Sequence, residues 1–298
     1  MSMAMSADDG AELAEARHLA AVTRDRIGLK PALSAPKIAA LLRAMPAEGR
    51  ASFCRDLIAS PPEADGWQRF AESMLVHETY FFRHPDQLRL CADVLLPRLL
   101  RERLDSGRRD VRIWCAGCST GEEVYTLALL LQAAIAASGV PSLGVWNATI
   151  LGTDLSAPTL QRARAGTYAL VAGLNSFRDV PEFARHHFAD VLSAADTQWS
   201  ADAELRRLTR FAQHNLVVDP PALRDVDLIL CRNTFIYFDD AQSRAALASL
   251  EEALRPGGAL LMGPAETASD AAGLRMVCAD QAVFWVKGAS NGAAGASR

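Results

Sequence analysis

Apolar residues between positions 11 and 82 recur at helical spacing in Ala-, Leu- and Arg-rich stretches, and no part of that region alternates as a half-buried strand would. Proline interrupts the pattern at Lys30-Pro31, Ala35-Pro36 and Pro61-Pro62. Several short helices are therefore predicted, forming a small all-helical domain over residues 1–83. Leu88, Val94, Leu95, Leu99 and Leu100 then fall near one helical face, which predicts a long helix from about Pro85 to Arg103 that bridges to the rest of the chain. Beyond it the period changes. Short β-like runs at Val111–Cys115, Thr149–Thr153, Val226–Cys231 and Ala259–Met262 alternate with helical segments. That alternation predicts an α/β domain over residues 84–288, a parallel sheet wrapped by helices. Residues 168–210 break the rhythm with aromatic and polar side chains of no clear period, and an insertion with a small antiparallel ribbon is expected there. Residues 289–298 are small and polar apart from the terminal Arg and are expected to be disordered.

Composition narrows the class of protein. Half of the 298 residues are apolar, enough to bury a sizeable core. The net charge of -4 argues against a dedicated nucleic-acid binder, which needs a strong positive field. Between Arg17 and Arg50, however, seven basic residues face two acidic ones, so one side of the helical domain is expected to be basic. Six scattered cysteines, several inside apolar runs, suit a reducing compartment. The N-terminus has no basic stretch followed by an apolar one, and the longest apolar run, Leu127–Ala137, falls short of the roughly 20 residues that span a bilayer. A cytoplasmic protein without membrane insertion, acting as a monomer, is expected.

Two segments carry candidate cofactor chemistry. From Arg112 to Glu123 the chain runs from strand through Ala116, Gly117, Cys118 and Ser119 into a helix, and small residues at such a turn let a ligand lie against the backbone. Two glycines also suit a plain tight turn. The run Leu151–Ser156 is an apolar strand ending in Asp154, a carboxylate that can accept both hydroxyls of a ribose. Asp154 could instead cap the next helix, but Ser156 is the better cap. A nicotinamide dinucleotide and S-adenosylmethionine both carry a ribose. The turn lacks full G-x-G-x-x-G spacing, and Glu122 and Glu123 stand where a pyrophosphate needs the positive end of a helix. Those carboxylates suit a sulfonium and an α-amino group, which favours S-adenosylmethionine. Cys115-x-x-Cys118 coincides with the cofactor turn and has no second pair, and His186-His187 has no companion ligands, so no metal site is expected.

Three stretches together resemble the CheR family of chemotaxis-receptor methyltransferases: His77–Arg83 (HETYFFR), Ala116–Glu123 (AGCSTGEE) and Cys231–Phe238 (CRNTFIYF). Gly152-Thr153-Asp154, His214-Asn215-Leu216 and Leu254–Gly258 follow in the order of that family. The resemblance implies a Rossmann-like S-adenosylmethionine methyltransferase domain with a small antiparallel β-subdomain, preceded by a helical N-terminal domain. It implies cofactor contacts from His77, Thr79, Arg83, Ala116, Gly117, Glu123, Asp154, Asn215, Leu216, Arg232 and Asn233. Asp154 would take the ribose, Glu123 the methionyl end, and Asn215, Leu216, Arg232 and Asn233 the adenosyl pocket. Thr79, Arg83 and Tyr237 would face the methyl-transfer centre, with Arg83 and Tyr237 as the catalytic pair. The sequence departs from the family at His77, commonly Asn, at Val124, commonly Pro, and at Gly263-Pro264-Ala265-Glu266, commonly Gly-His-Ser-Glu.

The implied reaction methylates glutamate side chains on the cytoplasmic helices of chemoreceptors and leaves S-adenosylhomocysteine. A glutamate of ordinary pKa is already ionised at neutral pH, so orientation and exclusion of water matter more than a general base. A guanidinium that never loses its proton can hold such a carboxylate through a planar fork, which is the part Arg83 would play. Alone, Arg83 reads more readily as a solvated or helix-capping residue, and Tyr237 equally well as a core aromatic with its hydroxyl at the edge. Two other readings remain at the level of sequence: a different protein or a small carboxylic acid as acceptor, and a cofactor-binding regulatory module without turnover.

Overall fold

The computed structural model describes residues 7–62, 64–139, 145–170, 176–279 and 282–288; the predicted disordered tail lies outside them. The N-terminal region folds as α1 (Ala7–Ile27), α2 (Pro31–Arg43), α3 (Ala47–Ala59) and α4 (Asp65–Met74). Pro31 opens α2, where its missing N–H would have had no partner anyway. The break expected at Ala35-Pro36 does not form: Pro36 lies inside α2, losing only the bond to Ala32 in the first turns while Ile38, Ala39 and Leu42 bury the face behind it. These helices share a core of Leu19, Ile38, Leu42, Trp67, Phe70 and Met74, against which Leu155 and Tyr237 pack from later in the chain.

Three residues of the basic window are engaged by groups of the protein itself, while Arg17 and Arg43 stay exposed. Arg26 donates to the carbonyls of Ile58 and Ser60 at 2.5 and 2.6 Å, Lys37 to that of Met74 at 2.6 Å, and Arg24 Nε to Asp239 at 2.5 Å. Arg26 and Lys37 thus satisfy the unpaired carbonyls that end α3 and α4. A sequence count of charges cannot see this.

The predicted bridging helix is α5 (Pro85–Leu90), a π-helical turn over Cys91–Leu95, and α6 (Leu96–Asp105). Pro97 within the run has no N–H to donate to Asp93 and its ring crowds that carbonyl, a conflict the wider turn relieves. The rest alternates as β1 (Asp110–Ala116), α7 (Glu122–Ala137), β2 (Asn147–Asp154), α8 (Ala157–Ala165), β3 (Thr167–Ala169), α9 (Ala189–Leu192), β4 (Gln198–Ser200), α10 (Ala203–Leu208), β5 (Thr209–Gln213), β6 (Val226–Cys231), α11 (Asp240–Ala253), β7 (Leu254–Met262), β8 (Leu274–Ala279) and β9 (Ala282–Lys287).

Seven strands form one sheet in the order β5-β2-β1-β6-β7-β9-β8, the first five parallel and β9 and β8 antiparallel. Alternate residues serve opposite faces. Ile113, Cys115, Leu228, Leu230 and Leu261 pack into one core with α7, and Trp114, Ala116, Ile229, Cys231, Leu260 and Met262 into another with α11. The insertion contains β3 and β4 paired antiparallel, around an aromatic cluster of Phe81, Phe177, Phe188 and Trp199. Its predicted C-terminal end at 210 differs from the structure, because Thr209 and Arg210 already pair with β2 in the main sheet. No helix among the described residues is long and apolar enough to cross a membrane.

Candidate cofactor and substrate site

A cavity of about 410 Å³ opens at the carboxyl ends of β1, β2, β5 and β6, where open α/β sheets bind ligands. Its floor is the turn after β1. Gly117 has φ +77°, and a Cβ there would overlap Thr234 Oγ1. The N–H groups of Gly117 and Cys118 both donate to Thr153 O, at 2.8 and 2.9 Å, folding the turn over the end of β2. Ser119 N–H then donates to Asp154 Oδ2 at 2.8 Å, and Ser156 N–H to Oδ1 at 3.0 Å. Ser156 caps α8, accepting from Thr159 N–H, so Asp154 is left to face the cavity. Burial raises the Asp154 carboxyl pKa, against the pull of the Ser156 and Ser119 N–H groups and of His77.

Beside it, Arg232 and Glu123 form a nearly buried ion pair of 2.6 Å. The Arg232 guanidinium also donates to Gln87 Oε1 at 3.2 Å and to Arg83 O at 2.9 Å. It is committed to the protein in three directions and fixes Glu123 and the Arg83 backbone together. The partner glutamate, Glu122, turns away from the cavity and accepts from Thr120 and Ser176 hydroxyls at 2.7 Å each. Only one of the two paired carboxylates therefore bears on a ligand.

Arg83 lines the cavity, with Nη1 donating to Glu78 O at 2.6 Å. One carbonyl leaves most of its five N–H donors for another partner. The flanking Phe82 and His84 are both left-handed, with φ near +57°, and the segment is pinned by Phe82 N–H on Thr126 Oγ1 and by His84 Nε2 at 3.2 Å from Asn233 Oδ1. Burial first, and the Arg232 charge next, keep the His84 ring below its ordinary pKa. Tyr237, from the 3₁₀ turn Phe235–Tyr237, also lines the cavity, its hydroxyl donating to Val76 O at 3.1 Å. Burial raises its pKa, while the Arg83 charge pulls it down, so the two side chains share one field.

Of the residues implied by the family resemblance, His77, Thr79, Arg83, Gly117, Glu123, Asp154, Asn215, Leu216, Arg232, Asn233 and Tyr237 all line this cavity. Ala116 does not; it is buried at the end of β1, where its carbonyl meets Thr234 Oγ1 at 3.5 Å. Asn215 reaches the wall with its amide already engaged, Nδ2 on Arg26 O at 3.1 Å and Oδ1 on Val217 N–H at 3.1 Å. His77 Nε2 stands 3.1 Å from Glu72 Oε1 without the alignment of a hydrogen bond, and Glu72 also accepts from Ser156 Oγ. Sequence reasoning missed the α1–α2 junction: Ile27, Gly28, Leu29 and Leu33 close the cavity from above. Gly28 allows this, since a Cβ there would stand 2.9 Å from Val217.

The wall fits an adenosyl cofactor. Ser119 Oγ and His214 Nδ1 are buried in lining residues without a partner among the described residues, and Gly117 leaves room against the backbone. Two carboxylates, Asp154 and Glu123, stand in the same wall. Cys118, also in the wall, is no thiolate, because burial raises its pKa well above the ordinary value. This sheet and cavity define a nucleoside-cofactor protein of the Rossmann-like methyltransferase class.

Comparison with known proteins specifies it further. The family model described as CheR methyltransferase, SAM binding domain, matches residues 77–283. The probable biofilm formation methyltransferase WspC of Pseudomonas aeruginosa is 36% identical over 216 residues, which cover 70% of this chain and 46% of that protein. Chemotaxis protein methyltransferase 2 of Vibrio cholerae is 32% identical over 68% of this chain and 66% of its own length. The probable chemotaxis protein methyltransferase of Rhizobium etli is 30% identical over 80% of this chain and 85% of its own. The match thus spans less than half of the Pseudomonas protein. The chain belongs to the CheR methyltransferase family, with S-adenosylmethionine as cofactor.

Proposed function

We propose that this protein methylates glutamate side chains of chemoreceptors. The observation that carries the reading is the convergence of Arg83 and Tyr237, from segments about 150 residues apart, on the cavity that Asp154 and Glu123 line. The chemotaxis methyltransferases among its relatives support receptors as acceptors. The exposed apolar rim of Leu33, Val76 and Ile236 supports a protein segment over a small free acid.

When bound, S-adenosylmethionine supplies an electrophilic methyl group on a sulfonium. Asp154 accepts the ribose hydroxyls with the lone pairs its two N–H partners leave. Glu123, held at Oε2 by Arg232, offers Oε1 to the α-amino group. Leu216, Asn233 and the Gly117 turn wall the adenosyl group, while Asn215 ties that wall to the end of α1. Arg83 orients the ionised acceptor carboxylate, and no base is needed because that oxygen carries no proton. Thr79 and Tyr237 shape the transfer centre, and the α1–α2 junction excludes water from it. The helical unit through residue 83 in this reading roofs a methyltransferase unit that continues to 288.

Arg83→Ala is expected to lower methyl transfer to a receptor fragment about a hundredfold or more, the scale of lost alignment, with S-adenosylhomocysteine affinity largely kept. Radiolabelled methyl transfer and calorimetric titration measure the two; a fully active Arg83→Ala protein disproves the role.

A further inference from the structure

Glu266 follows β7, behind the cavity and outside its lining. Its carboxylate nevertheless receives three backbone N–H groups. Asn233 and Gly263 both donate to Oε2 and Phe235 to Oε1, each at 2.8 Å. These bonds close the gap between the ends of β6 and β7, where no strand partner remains for the N–H groups. Asn233 is left-handed, with φ +58°, a conformation that a residue with a Cβ resists unless its surroundings hold it. The 3₁₀ turn that carries Tyr237 begins two residues later. Gly263 fits tightly here: a Cβ would stand 2.6 Å from Glu266 Oε2 and 3.0 Å from Asn233 N.

We infer that Glu266 is a positioning residue for the cofactor site, its carboxylate setting the turn that aims Asn233 and Tyr237 into the cavity without itself touching a ligand. The inference rests on the cavity being the cofactor site. Charge-assisted bonds to three N–H groups hold the left-handed turn from behind, while His84 holds the Asn233 side chain from the front. A carboxylate is needed because both of its oxygens accept. A glutamine offers one accepting oxygen, and its amide nitrogen would confront the remaining N–H. Released from these bonds, Asn233 relaxes toward right-handed backbone and the 3₁₀ turn moves with it.

The test is calorimetric titration of the full chain with S-adenosylhomocysteine, alongside circular dichroism and melting. Glu266→Ala is expected to weaken binding about tenfold and Glu266→Gln by less, in proportion to the backbone bonds lost. Gly263→Ala, which pushes on the same carboxylate, is expected to weaken binding as well. The exposed neighbour Pro264→Ser is expected to bind as wild type. A merely structural role would lower the melting temperature and leave the Kd of the folded protein unchanged, and that result for Glu266→Ala overturns the inference. If Glu266→Ala does not fold, wild-type affinity in both Glu266→Gln and Gly263→Ala overturns it equally. The readout needs no acceptor, so a wild-type protein that binds S-adenosylhomocysteine and methylates no receptor ends the proposed function alone.

Discussion

In the proposed ribose role Asp154 combines burial with a need for negative charge, so cofactor affinity is expected to depend on pH. Its folded pKa is raised, chiefly by burial. Any stability it contributes is therefore present below its ordinary pKa and lost as pH rises through the folded value. Ligand binding runs the other way, because the ionised form accepts the ribose hydroxyls. S-adenosylhomocysteine affinity is expected to fall on acidification, starting above the ordinary carboxylate range. Titrations between about pH 8 and 5 would follow it, and Asp154→Asn should weaken binding about tenfold and flatten the profile. A flat wild-type profile would count against the ribose role. Asp154 was legible in sequence because a carboxylate at a strand tip is local information. The commitment of Arg232 to Glu123, Gln87 and Arg83 was not, nor was Glu266, whose bonds go to backbone groups that any sequence possesses.

At the scale of elements, α11 shows how one helix start joins two parts of the molecule. Asp239 accepts from the N–H groups of Ala241 and Gln242 at 3.0 Å each, and Gln242 Oε1 accepts from Asp239 N–H at 3.0 Å, a complete capping box. The same two residues hold α1, through Arg24 on Asp239 and Gln242 Nε2 on Arg24 O at 3.0 Å. Asp239→Ala is expected to cost about 1 kcal/mol from the cap alone and to lower Tm by about 2 °C. The Gln242 N–H first, and burial-opposed Arg24 next, hold the Asp239 carboxyl below its usual range. Its stabilisation is therefore present above the ordinary pKa and lost as pH falls through the folded value. Melting curves of wild type and variant should converge in strong acid; a gap that persists would assign the effect to something other than the charge. The cap is written in the local string Asp-Asp-Ala-Gln, whereas its grip on a helix 215 residues away is not.

Across the whole molecule, the cavity is assembled from six separated regions: the α1–α2 junction, residues 75–83, the turn after β1, the tip of β2, the tip of β5 and the turn after β6. Saturation with S-adenosylhomocysteine is expected to slow amide hydrogen exchange in all six while leaving β8, at the far edge of the sheet, unchanged. Protection confined to the sheet-end loops, with none near Ile27–Leu29, would remove the helices from the cofactor site. The sequence by itself determined the alternation of strands and helices, the small-residue turn at Gly117, the carboxylate at Asp154 and the family motifs, because each is encoded by neighbours within a few residues. Only the tertiary structure decided that Arg26 and Lys37 cap the ends of α3 and α4, that Glu122 faces away while Glu123 faces the cavity, and that Leu29 lines that cavity. The physical reason is that periodicity reports which face of an element is buried, and not which distant element buries it. Burial and hydrogen-bond partners between distant residues exist only once the chain has closed upon itself.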